Sequence, residues 1–141
     1  MQLEIWGQTD VGLKRSNNQD AFLVDKEHNL FVVADGMGGH SGGEIASAMA
    51  VETVQETVAS AFSSNRRIYP RELLTKAYQA ANERIYKRSN EPGSKLQGMG
   101  TTMVTLFFYR ETVYIANVGD SRCYVAIPPH IWRVTEDHSL I

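Results

Sequence analysis

Leu30-Phe31-Val32-Val33-Ala34-Asp35-Gly36-Met37-Gly38-Gly39-His40 is the stretch on which the reading of this chain turns. Its first five residues are apolar and β-branched or aromatic in the middle, the length and composition of a strand covered on both faces. The run stops at Asp35-Gly36, a turn-forming pair, because Asp bonds its own nearby backbone and Gly accepts dihedrals closed to other residues. A carboxylate thus stands at a strand end beside a flexible, glycine-rich backbone. Hard cations such as Mg²⁺ and Mn²⁺ take oxygen ligands in such places. Two other readings of the glycines fare worse. No Gly-Lys-Ser/Thr closes a phosphate loop, and a dinucleotide fingerprint needs parallel strands where these read antiparallel.

Working outward, Lys26 to Asn29 is a polar turn and Ala21 to Asp25 a strand, and Leu3 to Thr9 alternates enough to predict a first strand. Downstream, Gly43 to Ser63 lacks proline and internal glycine and places Ala48, Val51, Val54, Val58, Ala61 and Phe62 on one side of an amphipathic helix. Pro70 suits the first turn of a second helix, where its missing N–H has no partner to lose. Leu73, Leu74, Ala77, Ala80, Ala81 and Ile85 are the stripe of that helix. Two such helices joined by the polar stretch from Ser63 to Tyr69 form an antiparallel pair that must lay its apolar faces on the strands. After a loop at Gly93 to Gly98 come strands at Thr101 to Tyr109, Thr112 to Val118, Arg122 to Ile127 and Ile131 to Val134, with breaks at Arg110-Glu111 and Pro128-Pro129-His130. Hairpin-connected strands with a separate helix pair predict an α+β fold. Neither repeats, low-complexity segments nor linkers interrupt it, so residues 1–141 read as a single domain.

Bulk properties narrow the partners. The 141 residues are 43% hydrophobic with net charge −2, and 14 Lys and Arg are scattered among 16 Asp and Glu. That balance predicts no nucleic-acid and no membrane partner. No apolar stretch approaches the ~20 residues of a membrane span, and Met1-Gln2-Leu3-Glu4 lacks the layout of a signal peptide, which predicts a cytoplasmic address. The single cysteine, Cys123, allows neither an internal disulfide nor a cysteine zinc cluster and reads as a buried structural thiol. The last residues, Ser139-Leu140-Ile141, are largely apolar and follow a turn-like Thr135 to His138, which reads as an end inside a domain.

Two further acidic turns accompany the first. Asp20 follows Gln19 at the start of a strand, with Arg15 five positions earlier, and Asp120 lies in Gly119-Asp120-Ser121. Singly these are an ordinary cap, a surface charge and a hairpin corner. Together they match a pattern. Arg15 to Asp20 (Arg-x-x-Asn-Gln-Asp), Val33 to His40, Gly43 to Ser47 (Gly-Glu-x-Ala-Ser), Gly98 to Thr102 and Val118 to Arg122 occur in the order and spacing of a known family. The chain resembles the N-terminal part of a bacterial-type, metal-dependent Ser/Thr protein phosphatase of the type 2C family.

The resemblance implies two packed antiparallel sheets flanked by helix pairs, incomplete at the C-terminus. It also implies hydrolysis of phosphoserine and phosphothreonine in proteins by a metal-bound hydroxide, with two Mn²⁺ or Mg²⁺ ions and a third, accessory ion in bacterial relatives. Phosphorylated proteins, targets of a Ser/Thr kinase, are the partners it implies. By position, Asp35 would bridge two metals and the Gly36 carbonyl would bind one. Asp20 and Gln19 would hold metal-bound waters, although many relatives carry Glu at the Gln19 position. Asp120 would bind the accessory metal, and Arg15 would clamp the substrate phosphate as a permanently charged fork. His40 would donate a proton or touch substrate; animal relatives carry a histidine directly after the Asp-Gly, where Met37 stands here. Family members place further metal aspartates in Asp-Gly and Asp-Asn motifs of the C-terminal half, and nothing after Asp120 supplies them. The chain alone is therefore expected to be inactive. The alternative is a non-catalytic, phosphatase-like binding module.

Overall fold

Side-chain alternation in two strands sets the architecture. β1 (Asp20–Asp25) and β2 (Leu30–Met37) pair antiparallel across the Lys26–Asn29 turn. Leu30, Val32 and Ala34 of β2 point to one face and are almost wholly buried. Against that face pack α1 (Gly42–Ser63) and α2 (Pro70–Ser89), the second opened by proline and carrying Lys87 and Arg88 in its last turn, where cations suit the helix dipole. The computed structural model describes residues 2–39 and 41–139.

After α2, β3 (Gly100–Thr101) pairs with the end of β2, and β4 (Met103–Tyr109) with its beginning. β5 (Thr112–Val118) returns along β4 after a turn in which Arg110 and Glu111 both take positive φ. The sheet runs β1-β2-β4-β5 with β3 attached to β2, and a separate ribbon is formed by β6 (Tyr124–Ile127) and β7 (His130–Arg133). The α+β class with antiparallel sheets and a helix pair is as the sequence predicts.

The core lies between sheet and helices. Leu30, Val54, Val58, Ala77 and Phe107 have no exposed surface. Tyr78 of α2 pins the pair to the sheet, its phenol oxygen lying 2.9 Å from both the Thr105 hydroxyl and the Ala116 carbonyl. Burial pushes the pKa of that phenol up, so it stays a hydrogen-bonding neutral group.

Three expectations need correction. Leu3 to Thr9 forms no strand: Ile5, Trp6 and Gln8 cross the outer face of the sheet beside Phe22, Phe31 and Val104 instead of running along an edge, and alternation without a ladder to join does not make a strand. β2 is covered by helices on one face only, with Val33 on the other face 48% exposed. The predicted Thr101–Tyr109 strand is split at Thr102, for a reason that concerns the site. Cys123 is buried as expected, its thiol pKa pushed up by burial.

A buried carboxylate ties the first hairpin to α1. Asp25, 8% exposed, accepts from the His28 backbone N–H at 3.2 Å, pairs with His28 Nδ1 at 2.8 Å and accepts from Gln55 at 3.4 Å. Burial alone would raise its pKa, but the His28 and Gln55 bonds outweigh burial and hold it below the usual carboxylate value. The stabilisation is therefore complete above the unfolded pKa and is lost as pH falls through the lower folded one. Asp25→Asn should cost about 1–2 kcal/mol at neutral pH, and the difference from wild type in urea unfolding should shrink below pH 4. A difference unchanged between pH 7 and 3 would contradict this.

The outer face and the ribbon carry much apolar surface: Trp6, Ile127 and Ile131 are 82%, 61% and 67% exposed. Among the described residues no strand pairs with the outer edges of β1 and β5. Open edges beside apolar patches favour association. The chain by itself should sediment as dimers or larger species at tens of micromolar, and Ile131→Lys should shift it toward monomer. A monomer with or without that change would refute the prediction.

Candidate metal centre at the strand ends

The β1–β2 register places Asp20 directly opposite Asp35. Residues opposite each other in an antiparallel pair share a face, so two carboxylates meet at the strand ends, where like charges oppose folding. Burial and then the Asp20 carboxylate hold the Asp35 pKa above the usual range; Arg15 pulls it down, and Asp120 adds a further upward push. The structure thus gathers Asp20, Asp35, Asp120 and Arg15 within electrostatic reach of one point. Asp20 and Asp35 line a cleft of about 230 Å³, together with Thr9 and with Ser121, the neighbour of Asp120. A larger concavity of about 830 Å³, between the end of α1 and the start of α2, contains none of these residues.

Backbone contacts fix the Asp35-Gly36 turn. The Gln19 carbonyl accepts from the Gly36 N–H at 3.0 Å and from the Ser47 hydroxyl at 2.7 Å, tying β1, β2 and α1 together. The Gln19 side-chain amide donates to the Gly38 carbonyl at 3.3 Å, so it faces the glycine turn. His40 lies outside the described residues.

The turn bearing Asp120 has a support that the sequence did not announce. Gly119 takes φ +91° and exchanges backbone contacts with His138, its carbonyl accepting the His138 N–H at 2.9 Å and its own N–H donating to His138 Nδ1 at 3.3 Å. Arg122 donates twice to Asp137, at 3.0 and 2.7 Å, and the Cys123 N–H donates to Thr135 at 3.0 Å. The Thr135–His138 stretch, turn-like in sequence, is a strap along the Asp120 turn. Only the complementary charges of Arg122 and Asp137 hinted at it.

The donor set is all oxygen, which suits a hard divalent cation. Asp35 would hold such an ion, with the Asp20 carboxylate opposite it and the Asp120 charge within electrostatic reach. Among the described residues, however, no three His, Cys, Asp or Glu side chains converge as a complete metal cage. The fit is to an open, oxygen-donor half-site.

The sequence profile of protein phosphatase 2C matches residues 13–138. A serine/threonine phosphatase stp from Listeria monocytogenes serotype 4b is 39% identical over 142 residues, covering 95% of this chain and 54% of the relative. The catalytic domain of the phosphatase PstP, solved in complex with two manganese ions, superposes with TM-score 0.80 at 30% identity over 94% of this chain and 55% of its own. Stp1 from Staphylococcus aureus superposes with TM-score 0.79 at 34% identity, covering 94% and 52%. The chain spans about half the length of the curated relatives it matches.

Proposed function

The chain belongs to the protein phosphatase 2C family, and we propose that it contributes the N-terminal half of a divalent-cation site that removes phosphate from phosphoserine and phosphothreonine in proteins. The observation carrying this reading is the opposed pair Asp20 and Asp35, a like-charge arrangement that weakens the sheet and that a cation would relieve.

Asp35 and the Gly36 carbonyl would hold Mn²⁺ or Mg²⁺, and Asp20 and Gln19 would hold it through bound water. Asp120, close enough to act on the Asp35 charge, would serve an accessory ion. When bound, the cations supply Lewis acidity toward the phosphoryl oxygens and toward water. Arg15 contributes a fixed positive charge to the same point and would bind the substrate phosphate through its planar fork. His40 would contact substrate or donate a proton, a role assigned from its place in the sequence alone. Residues 1–141 form one structural unit in this reading, and the reaction takes place in the cytoplasm on products of a Ser/Thr kinase. Among the described residues no helix is long and apolar enough to cross a membrane.

Mn²⁺ titration of this chain, followed by the electron-spin-resonance signal of the free ion, tests the site. The unsubstituted chain should bind, and Asp35→Asn should weaken binding by about tenfold or more, as loss of a ligand exceeds loss of an outer partner. Equal affinities would refute the assignment of Asp35.

A further inference from the structure

The strand split at Thr102 is where two parts of the site are joined. The β2–β4 register pairs Val33 with Val104 and the β2–β3 register pairs Gly36 with Thr101, so continuing either places Asp35 opposite Thr102. There the ladder is only half made. The Thr102 N–H donates to the Asp35 carbonyl at 2.9 Å, but the Asp35 N–H donates at 3.0 Å to the Thr102 side-chain hydroxyl, not to its carbonyl. That carbonyl instead accepts from the Thr101 hydroxyl at 2.8 Å. A side chain has replaced a backbone acceptor at the residue that carries the central carboxylate. The same Thr102 hydroxyl bonds the Ser121 hydroxyl, next to Asp120, and the Thr102 methyl leaves no room for a side chain at Gly119, whose Cβ would meet it at 2.7 Å.

We propose that Thr102, with Ser121, is a positioning residue that sets the separation of Asp35 from Asp120 by hydrogen-bonding both turns through one hydroxyl. The inference rests on the cation-site reading above. Among the described residues no direct hydrogen bond joins these two acidic turns from distant parts of the chain, and the hydroxyl pair is a short path that links them. Valine at 102 keeps the shape and removes the link, because it can neither accept from the Asp35 N–H nor bond Ser121. Serine keeps the hydroxyl.

Mn²⁺ affinity of the full chain, measured by the free-ion spin-resonance signal, separates this from a merely structural role. Thr102→Ser should stay within about twofold of wild type, whereas Thr102→Val should bind about tenfold more weakly, the scale of losing an outer-sphere partner. Asp120→Asn should weaken binding in the wild-type background and add little in the Thr102→Val background, since the two changes then break one link. If Thr102→Val fails to fold by circular dichroism, Ser121→Ala replaces it, because the backbone bonds of Thr102 are left in place, and the same non-additivity with Asp120→Asn is expected. Wild-type affinity in Thr102→Val or Ser121→Ala, or full additivity with Asp120→Asn, would overturn the positioning role while Asp35→Asn still weakens binding by about tenfold or more. If Asp35→Asn binds as wild type does, the cation-site reading itself falls.

Discussion

Replacing Gly36 by alanine should destabilise the chain severely, by about 3 kcal/mol or more. A Cβ at this position would overlap the Gly43 carbonyl at the start of α1 and lie 2.8 Å from the Gln19 carbonyl. Both obstacles are backbone, so no side chain can swing away; the end of β2 and the first turn of α1 must part. Overpacking costs of about 3 kcal/mol or more follow when the surroundings cannot give, against a total stability of about 5–15 kcal/mol. Neighbouring glycines grade the effect. At Gly43 the added Cβ meets the Gln19 side chain at 2.7 Å, which can move at smaller cost, and at Gly39 it meets nothing within 4 Å. Urea unfolding should therefore rank Gly39→Ala near wild type, Gly43→Ala below it and Gly36→Ala lowest. A Gly36→Ala midpoint equal to wild type would show that the turn is looser than its contacts imply.

Much of this was legible in the sequence, and the parts that were not share a cause. Helical stripes and the Pro70 start are local signals, and both helices form where they were expected, α1 beginning at Gly42, one residue before the predicted start. The opposition of Asp20 to Asp35 follows from the Lys26–Asn29 turn and the register it sets; a slip of one residue would send one carboxylate to the helix-covered face. Continuous apolar residues from Leu30 to Ala34 overstated burial, because composition does not reveal what covers the second face. The substitution of a hydroxyl for a carbonyl at Thr102 leaves no periodic trace, although Gly98 to Thr102 is among the family-like motifs. Nor does the strap of Thr135 to His138, which depends on pairing between distant residues. What sequence pattern conveys poorly here is contact between turns.

The second large effect concerns chemistry. If Asp35 is the central ligand, its loss removes interactions made to the reacting phosphoryl group and should lower kcat by on the order of 10³-fold, the scale of deleting a main electrostatic stabiliser. Arg15→Ala should mainly raise KM, because a clamp on the phosphate acts on bound substrate and transition state alike. Neither effect can be read from this chain alone if the half-site is open, as the lack of a three-ligand cluster among the described residues indicates. The measurement that bears most directly on the account is Mn²⁺-dependent hydrolysis of a phosphoserine peptide by this chain, and by a chimera joining it to the C-terminal half of the Listeria relative. The account predicts background turnover for the chain, clear turnover for the chimera, and loss of that turnover in the Asp35→Asn chimera. Turnover by the chain alone that Asp35→Asn abolishes would show that these residues hold a complete site, and chimera turnover indifferent to Asp35→Asn would contradict the central role of that carboxylate.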